Sequence, residues 1–300
     1  MMLLHFPEQE APAGRLARRL GIEASPIRVH RFPDGESLVQ LPPLTETTVL
    51  LLRSLAPPND HLVELGLACE TLVHSGRQVV LVLPYLCYMR QDAAFHPGEA
   101  VSQHIVGGWI ARWGEALVTV DPHLHRTHRL QDAVPVPHAR VVSAAPALGR
   151  FAAEHWPDCV LLGPDEESAQ WVQQAATAGG LEGGVATKTR LGDRDVRIRL
   201  PAGLDLKGRT LVLIDDMSVT GRTLAEAARL AYDQGARQVH ALVTHALFRG
   251  DALETMRQAG IETVCSSDSL PHPTNRIPLD GLLAEAIASL EPAQRNKEAP

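Results

Sequence analysis

Long apolar runs are what this sequence lacks first. The longest, such as 48–52 and 79–83, stop far short of the roughly 20 residues a helix needs to cross a bilayer. The start, Met1-Met2-Leu3-Leu4-His5, has neither a basic stretch nor the apolar segment and small-residue cleavage site of a secretion signal, so a cytoplasmic protein is expected. Cysteine is scarce: Cys69, Cys87, Cys159 and Cys265 are scattered without a Cys-x-x-Cys pair, three of them in or beside apolar runs. Reduced core thiols fit this spacing better than a disulfide framework or a zinc site. Positive charge is thin, with 28 lysines and arginines against 35 acidic residues, a formal net charge of −7 and no basic block. Nucleic-acid binding needs a concentrated cationic surface, so no such partner is expected, while a few local arginines still suffice for small anions. No GxxxxGK[ST] or GxSxG string occurs, which removes P-loop kinases and hydrolases built on a nucleophile turn.

What is present is regular. With 300 residues, 45% of them apolar, the chain has material for one large core or two of ordinary size, and two domains are expected. Short Val, Leu and Ile runs at 49–52, 79–83, 117–120, 159–162, 211–214, 241–243 and 263–265 suit strands buried on both faces. Between them, 61–75, 101–113, 168–178, 223–234 and 252–259 carry helical spacing. Alternation of this kind predicts an α/β fold with mainly parallel sheets. Gly235 and Gly260 stand where helices should stop. The His- and Pro-rich stretch 121–138, followed by an Ala-rich helix from about 144, divides the chain into halves of 1–145 and 146–300.

The most informative segment runs from Thr210 through Leu213-Ile214-Asp215-Asp216 to Val219-Thr220-Gly221-Arg222-Thr223-Leu224. It reads as a buried strand with a paired acidic end, a tight loop and a helix start. Backbone N–H groups of the Val219 to Thr223 loop, at the positive end of the helix, suit a phosphate, and the threonine hydroxyls add donors. Gly221 permits close backbone approach, and Asp215 and Asp216, at the carboxyl end of the strand, are placed to accept hydrogen bonds from sugar hydroxyls. A plain surface turn with an acidic helix cap is the competing reading.

This segment resembles the phosphoribosyl-diphosphate signature shared by phosphoribosyltransferases and ribose-phosphate pyrophosphokinases. Further stretches resemble the pyrophosphokinase family in particular: Arg31-Phe32-Pro33-Asp34-Gly35-Glu36, Pro57-Pro58-Asn59-Asp60, Pro84-Tyr85-Leu86-Cys87-Tyr88-Met89-Arg90-Gln91-Asp92 and Lys188-Thr189-Arg190, the last as in its shorter, archaeal-type members. The resemblance implies two similar phosphoribosyltransferase-like halves, each a mainly parallel sheet flanked by helices, the first binding ATP and the second ribose phosphate.

By the same resemblance, Phe32, Asp34, Gly35, Glu36, Arg90 and Gln91 bind ATP, with Phe32 stacking on adenine. Asp215, Asp216, Val219, Thr220, Gly221, Arg222, Thr223 and Arg190 hold ribose 5-phosphate, Lys188 and Arg190 are catalytic, and His123 and Asp165 contact Mg2+. The implied reaction moves the β,γ-diphosphoryl group of Mg-ATP to the 1-hydroxyl of ribose 5-phosphate, in a homodimer or larger homo-oligomer. Without the resemblance, Pro33 to Gly35 are sufficient for an ordinary turn, and a surface salt bridge would account for Arg90. Lys188 and Arg190 fall in a charged segment, 187–197, that lacks apolar periodicity and is expected to be an exposed loop. The chain departs from the family at Val219, where many members carry an acid, at Arg222, where many carry glycine, and at Ala93-Ala94, where many carry a basic residue. A catalytically weak regulatory relative and a phosphoribosyltransferase are the alternative readings.

Overall fold

The structure, a computed structural model, describes residues 1–190, 196–199, 201 and 204–290. It divides into two compact units, residues 1–142 with 279–290, and residues 143–278.

The first unit carries β1 (Met2–His5), α1 (Glu10–Leu20), β2 (Ala24–Pro26), β3 (Arg28–Arg31), β4 (Ser37–Gln40), β5 (Thr48–Leu52), α2 (Pro58–His74), β6 (Gln78–Leu83), α3 (Ser102–Ala111), β7 (Ala116–Val120), α4 (Leu130–Ala133) and β8 (His138–Val142). Its sheet runs in the order β2-β1-β5-β6-β7-β8, and every pairing is parallel. β3 and β4 stand apart as a two-stranded antiparallel ribbon. Leu50, Leu51, Leu81, Val82, Leu117 and Val118 are all 0% exposed, because a parallel sheet is covered on both faces by its crossover helices.

The second unit carries α5 (Ala145–His155), β9 (Val160–Gly163), α6 (Ala169–Gly179), β10 (Glu182–Val185), β11 (Thr187–Arg190), β12 (Val196–Arg199), β13 (Thr210–Ser218), α7 (Arg222–Asp233), β14 (Gln238–Ala246), α8 (Ala252–Gln258), β15 (Ile261–Ser267) and β16 (Asn275–Ile277). Its sheet, β10-β9-β13-β14-β15-β16, is again wholly parallel, and β11 and β12 again form a separate antiparallel ribbon. Both sheets therefore start in the middle, step outward once, then return past the first strand. This reversal makes a crevice at the carboxyl ends of the two central strands, β1 and β5 in one unit, β9 and β13 in the other, where doubly wound sheets accept ligands.

One expectation is corrected. The last helix, α9 (Asp280–Ala288), belongs to the first unit and not to a second half running to the chain end. It packs on α1, β7 and β8. Asp280, 7% exposed, accepts from Arg19 and lies 3.4 Å from Arg15 Nε on α1, while Arg140 of β8 donates to the Ser289 carbonyl at 3.1 Å. In the second unit α5, which precedes the first strand, packs on α6; α9 does the same for α1. The physical reason is face burial: the sheet face beside the first crossover helix needs a second cover, and the chain supplies it from its far end.

Gly235 and Gly260 have φ of +87° and +90° just beyond α7 and α8, as helix-terminating glycines do. All four cysteines are free and buried, and burial pushes the Cys87 thiol up to about 12 and Cys159 to about 11, so neither is a reactive thiolate.

Candidate active site

In the second unit the polar ends of the two central strands meet at the crevice. β9 runs through Leu161 and Leu162, both 0% exposed, to Gly163 and then Asp165, whose Oδ1 accepts from the Glu167 N–H at 3.2 Å. β13 is apolar to Ile214 and ends in Asp215, Asp216, Met217 and Ser218. Asp215 is half-buried; its Oδ1 accepts from the Asp216 N–H at 3.0 Å. Desolvation, then the charges of Asp216 and Asp165, push the Asp215 carboxyl well above the usual carboxylate range. Three carboxylates thus share one field, and the crevice favours a proton, a cation or hydroxyl donors.

The loop after β13 is held by the segment between β14 and α8. The Val219 carbonyl accepts from the Arg249 N–H at 2.9 Å, and Gly221 caps α7 with φ +70°. A Cβ there would lie 2.8 Å from the Ala252 carbonyl oxygen and 2.9 Å from Met256 Cγ, so glycine is required by conformation and by space. Gly221 brings no side chain to the first turn of α7, whose N–H groups point towards the Val219–Thr223 loop. Thr220 and Arg222 are exposed and Val219 and Thr223 half-buried. A loop of this shape, at a helix start, suits an anionic group.

Lys188 and Arg190 lie on β11. The chain reaches it from Ala186, whose N–H donates to the Gly163 carbonyl at 2.9 Å, so the ribbon springs from the same sheet edge that carries Asp165. The segment expected as a loop is therefore ribbon at its ends, with Lys188 opposite Ile198 and Arg190 opposite Val196. The side chains of Lys188 and Arg190, and residues 191–195, lie outside the described residues.

In the first unit, Phe32, Asp34, Gly35 and Glu36 form the exposed turn of the β3–β4 ribbon. Phe32 is 40% exposed, with its ring edge-on to His30 at 4.9 Å, and Asp34 Oδ1 accepts from the Glu36 N–H at 3.1 Å. Arg90 is exposed and Gln91 half-buried, beyond β6 at the carboxyl edge; His123, half-buried, follows β7 at that same edge.

These stretches are tied together by residues the sequence reading left without a role. The Asp92 side chain, 3% exposed, accepts from Arg126 Nη1 at 2.7 Å and from its N–H at 3.1 Å. Gln103, 0% exposed, donates to the Met89 carbonyl at 3.0 Å and accepts from Thr127 Oγ1 at 2.8 Å. The Arg90 segment and the His123 segment are thus one fixed edge. Tyr88 reaches Asn59, and Arg31 reaches Asp60 at 2.8 Å, so the Pro-Pro-Asn-Asp helix start anchors both neighbouring motifs. Asp121, 5% exposed with φ +35°, holds strained backbone two residues before His123, a place where such strain often attends function. Among the described residues no group of three or more His, Cys, Asp or Glu side chains is placed to hold a metal ion.

The fold and this crevice define a doubly wound α/β protein with a glycine-capped helix start beside an acidic strand end. Profiles of known families agree. The N-terminal domain of ribose phosphate pyrophosphokinase matches residues 1–114, and the phosphoribosyl synthetase-associated domain matches 195–290. The ribose-phosphate pyrophosphokinase of Methanopyrus kandleri is 38% identical over 294 residues, covering 97% of this chain and 99% of its own. Ribose-phosphate pyrophosphokinase 2 of Archaeoglobus fulgidus is 32% identical, covering 96% and 100%. The crystal structure of phosphoribosylpyrophosphate synthetase from Mycobacterium smegmatis superposes with a TM-score of 0.78 at 25% identity, covering 96% of this chain and 97% of that one. The chain belongs to the ribose-phosphate pyrophosphokinase family.

Proposed function

We propose that the protein transfers the β,γ-diphosphoryl group of ATP to the 1-hydroxyl of ribose 5-phosphate, giving phosphoribosyl diphosphate and AMP. The observation that carries this reading is the second unit's crevice, where Asp215 and Asp216 end the strand that leads directly into the Val219–Thr223 cradle. The cradle binds the 5-phosphate through backbone N–H groups and the hydroxyls of Thr220 and Thr223, and the two aspartates take the 2- and 3-hydroxyls. The match of residues 1–114 to the pyrophosphokinase N-terminal domain counts against a phosphoribosyltransferase.

The first unit is the nucleotide unit. Phe32 stacks on adenine, Asp34, Gly35 and Glu36 contact the nucleotide, and Arg90 and Gln91 meet the phosphates, the arginine through its planar fork of donors. The ribose 1-oxygen attacks the β-phosphorus in line. The bond from that phosphorus to the α,β-bridging oxygen breaks, AMP leaves with this oxygen, and the hydroxyl proton is released. Such a transfer asks the protein chiefly for positioning and charge neutralisation. Lys188 neutralises charge developing on the transferred group, and Arg190 holds phosphate oxygens.

His123 of the first unit and Asp165 of the second are each a donor that Mg2+ would accept beside water and phosphate oxygens. The ion neutralises phosphate charge when bound. A cytoplasmic homo-oligomer is the assembly and location this reading implies. No helix among the described residues is long and apolar enough to cross a membrane. Turnover of Mg-ATP with ribose 5-phosphate, with AMP formation followed against time, tests the proposal; ADP as the nucleotide product would overturn it.

A further inference from the structure

Both ends of the Phe32–Glu36 turn are held by one atom. Arg31 is the last residue of β3, Ser37 the first of β4, and the two are cross-strand partners. Arg31 Nη2 donates to Glu64 Oε1 at 3.0 Å, and Ser37 Oγ donates to the same oxygen at 2.6 Å. The second oxygen, Oε2, receives Arg53 Nη2.

Glu64 lies on α2 and Arg53 just after β5, at the switch point of the sheet, and each is 2% exposed. Arg53 is fixed in turn by Glu8 Oε1 at 3.0 Å, by the His61 carbonyl at 3.2 Å and by the Phe6 ring, 3.6 Å beneath its guanidinium. Burial alone would raise the Glu64 carboxyl; hydrogen bonds from Ser37, Arg53 and Arg31 outweigh it and hold the group below the usual range. The hub is therefore ionised.

A buried ion pair contributes little net stability compared with apolar side chains of the same volume. What this one supplies is geometry. The ribbon has four residues in each strand, and an isolated two-stranded ribbon is marginal in water. The turn itself is preformed: the Phe32 N–H donates to the Glu36 carbonyl at 2.8 Å and the Gly35 N–H to the Phe32 carbonyl at 2.9 Å. Any slack at its base would move Phe32, Asp34 and Glu36 as one piece, and a ligand would have to meet the cost of stopping that motion.

We infer that Glu64 is a positioning residue for nucleotide binding, clamping both ends of the Phe32–Glu36 turn to α2 and, through Arg53, to the carboxyl edge of the sheet. The inference rests on the reading that this turn binds ATP.

Steady-state kinetics of the full chain, with each substrate varied, tests it. Ser37→Ala removes one clamp without stranding a buried charge, Ser37→Thr keeps the hydroxyl, and Glu64→Gln takes the charge away from Arg53. Loss of one hydrogen bond that holds the turn raises KM for ATP about 3- to 10-fold in Ser37→Ala, and at least as much in Glu64→Gln. KM for ribose 5-phosphate and kcat stay within about twofold, and Ser37→Thr recovers most of the loss. If Glu64→Gln does not fold, the two Ser37 variants decide. An unchanged KM for ATP in Ser37→Ala, or equal rises for both substrates, overturns the inference. Phe32→Ala separates the two ways of failing. If it leaves KM for ATP unchanged, the nucleotide reading of the turn falls and the inference with it. If it raises KM for ATP while Ser37→Ala does not, the turn binds nucleotide and Glu64 does not position it.

Discussion

Trp156 lies flat over His240, ring centroids 4.2 Å apart and planes 13° from parallel, and seals an imidazole neither of whose nitrogens has a hydrogen-bond partner. His240 is 3% exposed, and burial lowers its pKa from 6.5, with Glu262 opposing weakly. The folded state thus takes up this proton at lower pH than the unfolded chain. His240's share of stability is complete above pH 6.5 and lost as pH falls below it. His240→Leu, which removes two unsatisfied polar atoms, should stabilise the protein by about 1 kcal/mol at neutral pH. Urea unfolding at pH 7.5 and 5.5 checks both points: the variant should lose less stability than the parent on acidification, and a parallel loss would refute this account of the residue.

Asp215 shows the opposite sign. Its raised carboxyl pKa, set by burial and then by Asp216 and Asp165, means that its protonated form is favoured in the fold. The stability it contributes is present at low pH and disappears as pH rises through its folded-state value. Asp215→Asn keeps the shape without the charge, so it should raise Tm at neutral pH while cutting turnover with ribose 5-phosphate by about 100-fold or more. A lower Tm in the asparagine variant would show that the carboxylate is structural.

Gly221→Ala places a Cβ against the Ala252 carbonyl and Met256 in backbone of φ +70°. Folding should weaken by about 2 kcal/mol, and KM for ribose 5-phosphate should rise more than KM for ATP. Equal effects on both substrates would argue against a phosphate cradle at this loop.

Lys188→Ala should reduce kcat by orders of magnitude with the far-UV spectrum and Tm unchanged, as measured by initial rates and thermal unfolding. His123→Ala should shift the magnesium titration of activity to higher concentration. An unchanged titration removes His123 as a metal contact.

The parts of this fold that could be read from sequence were those with water on neither side. All seven apolar runs picked out as strands became β5, β6, β7, β9, β13, β14 and β15, each interior to its sheet. The strands not picked out are mostly edges or ribbons. β8, His-Ala-Arg-Val-Val, buries only Ala139, and β2 is Ala-Ser-Pro, so neither forms a long apolar run. β1 is interior but four residues long. The destination of α9 was hidden because its apolar face would serve either sheet; the Arg19–Asp280 contact that fixes it spans 261 positions. The site divides in the same way. The residues proposed for the cradle and for the nucleotide-binding turn are contiguous in sequence, whereas the hub of Glu8, Arg31, Ser37, Arg53 and Glu64 is assembled from scattered residues. Its one sequence sign is an arginine placed directly after an apolar strand.

The most direct measurement mixes the purified protein with Mg-ATP and ribose 5-phosphate and identifies both products by mass. AMP and phosphoribosyl diphosphate appearing in equal amounts, with neither formed when the sugar phosphate is left out, is the predicted result. ADP with a singly phosphorylated sugar product, or no product until a nucleobase and phosphoribosyl diphosphate are supplied, would contradict it.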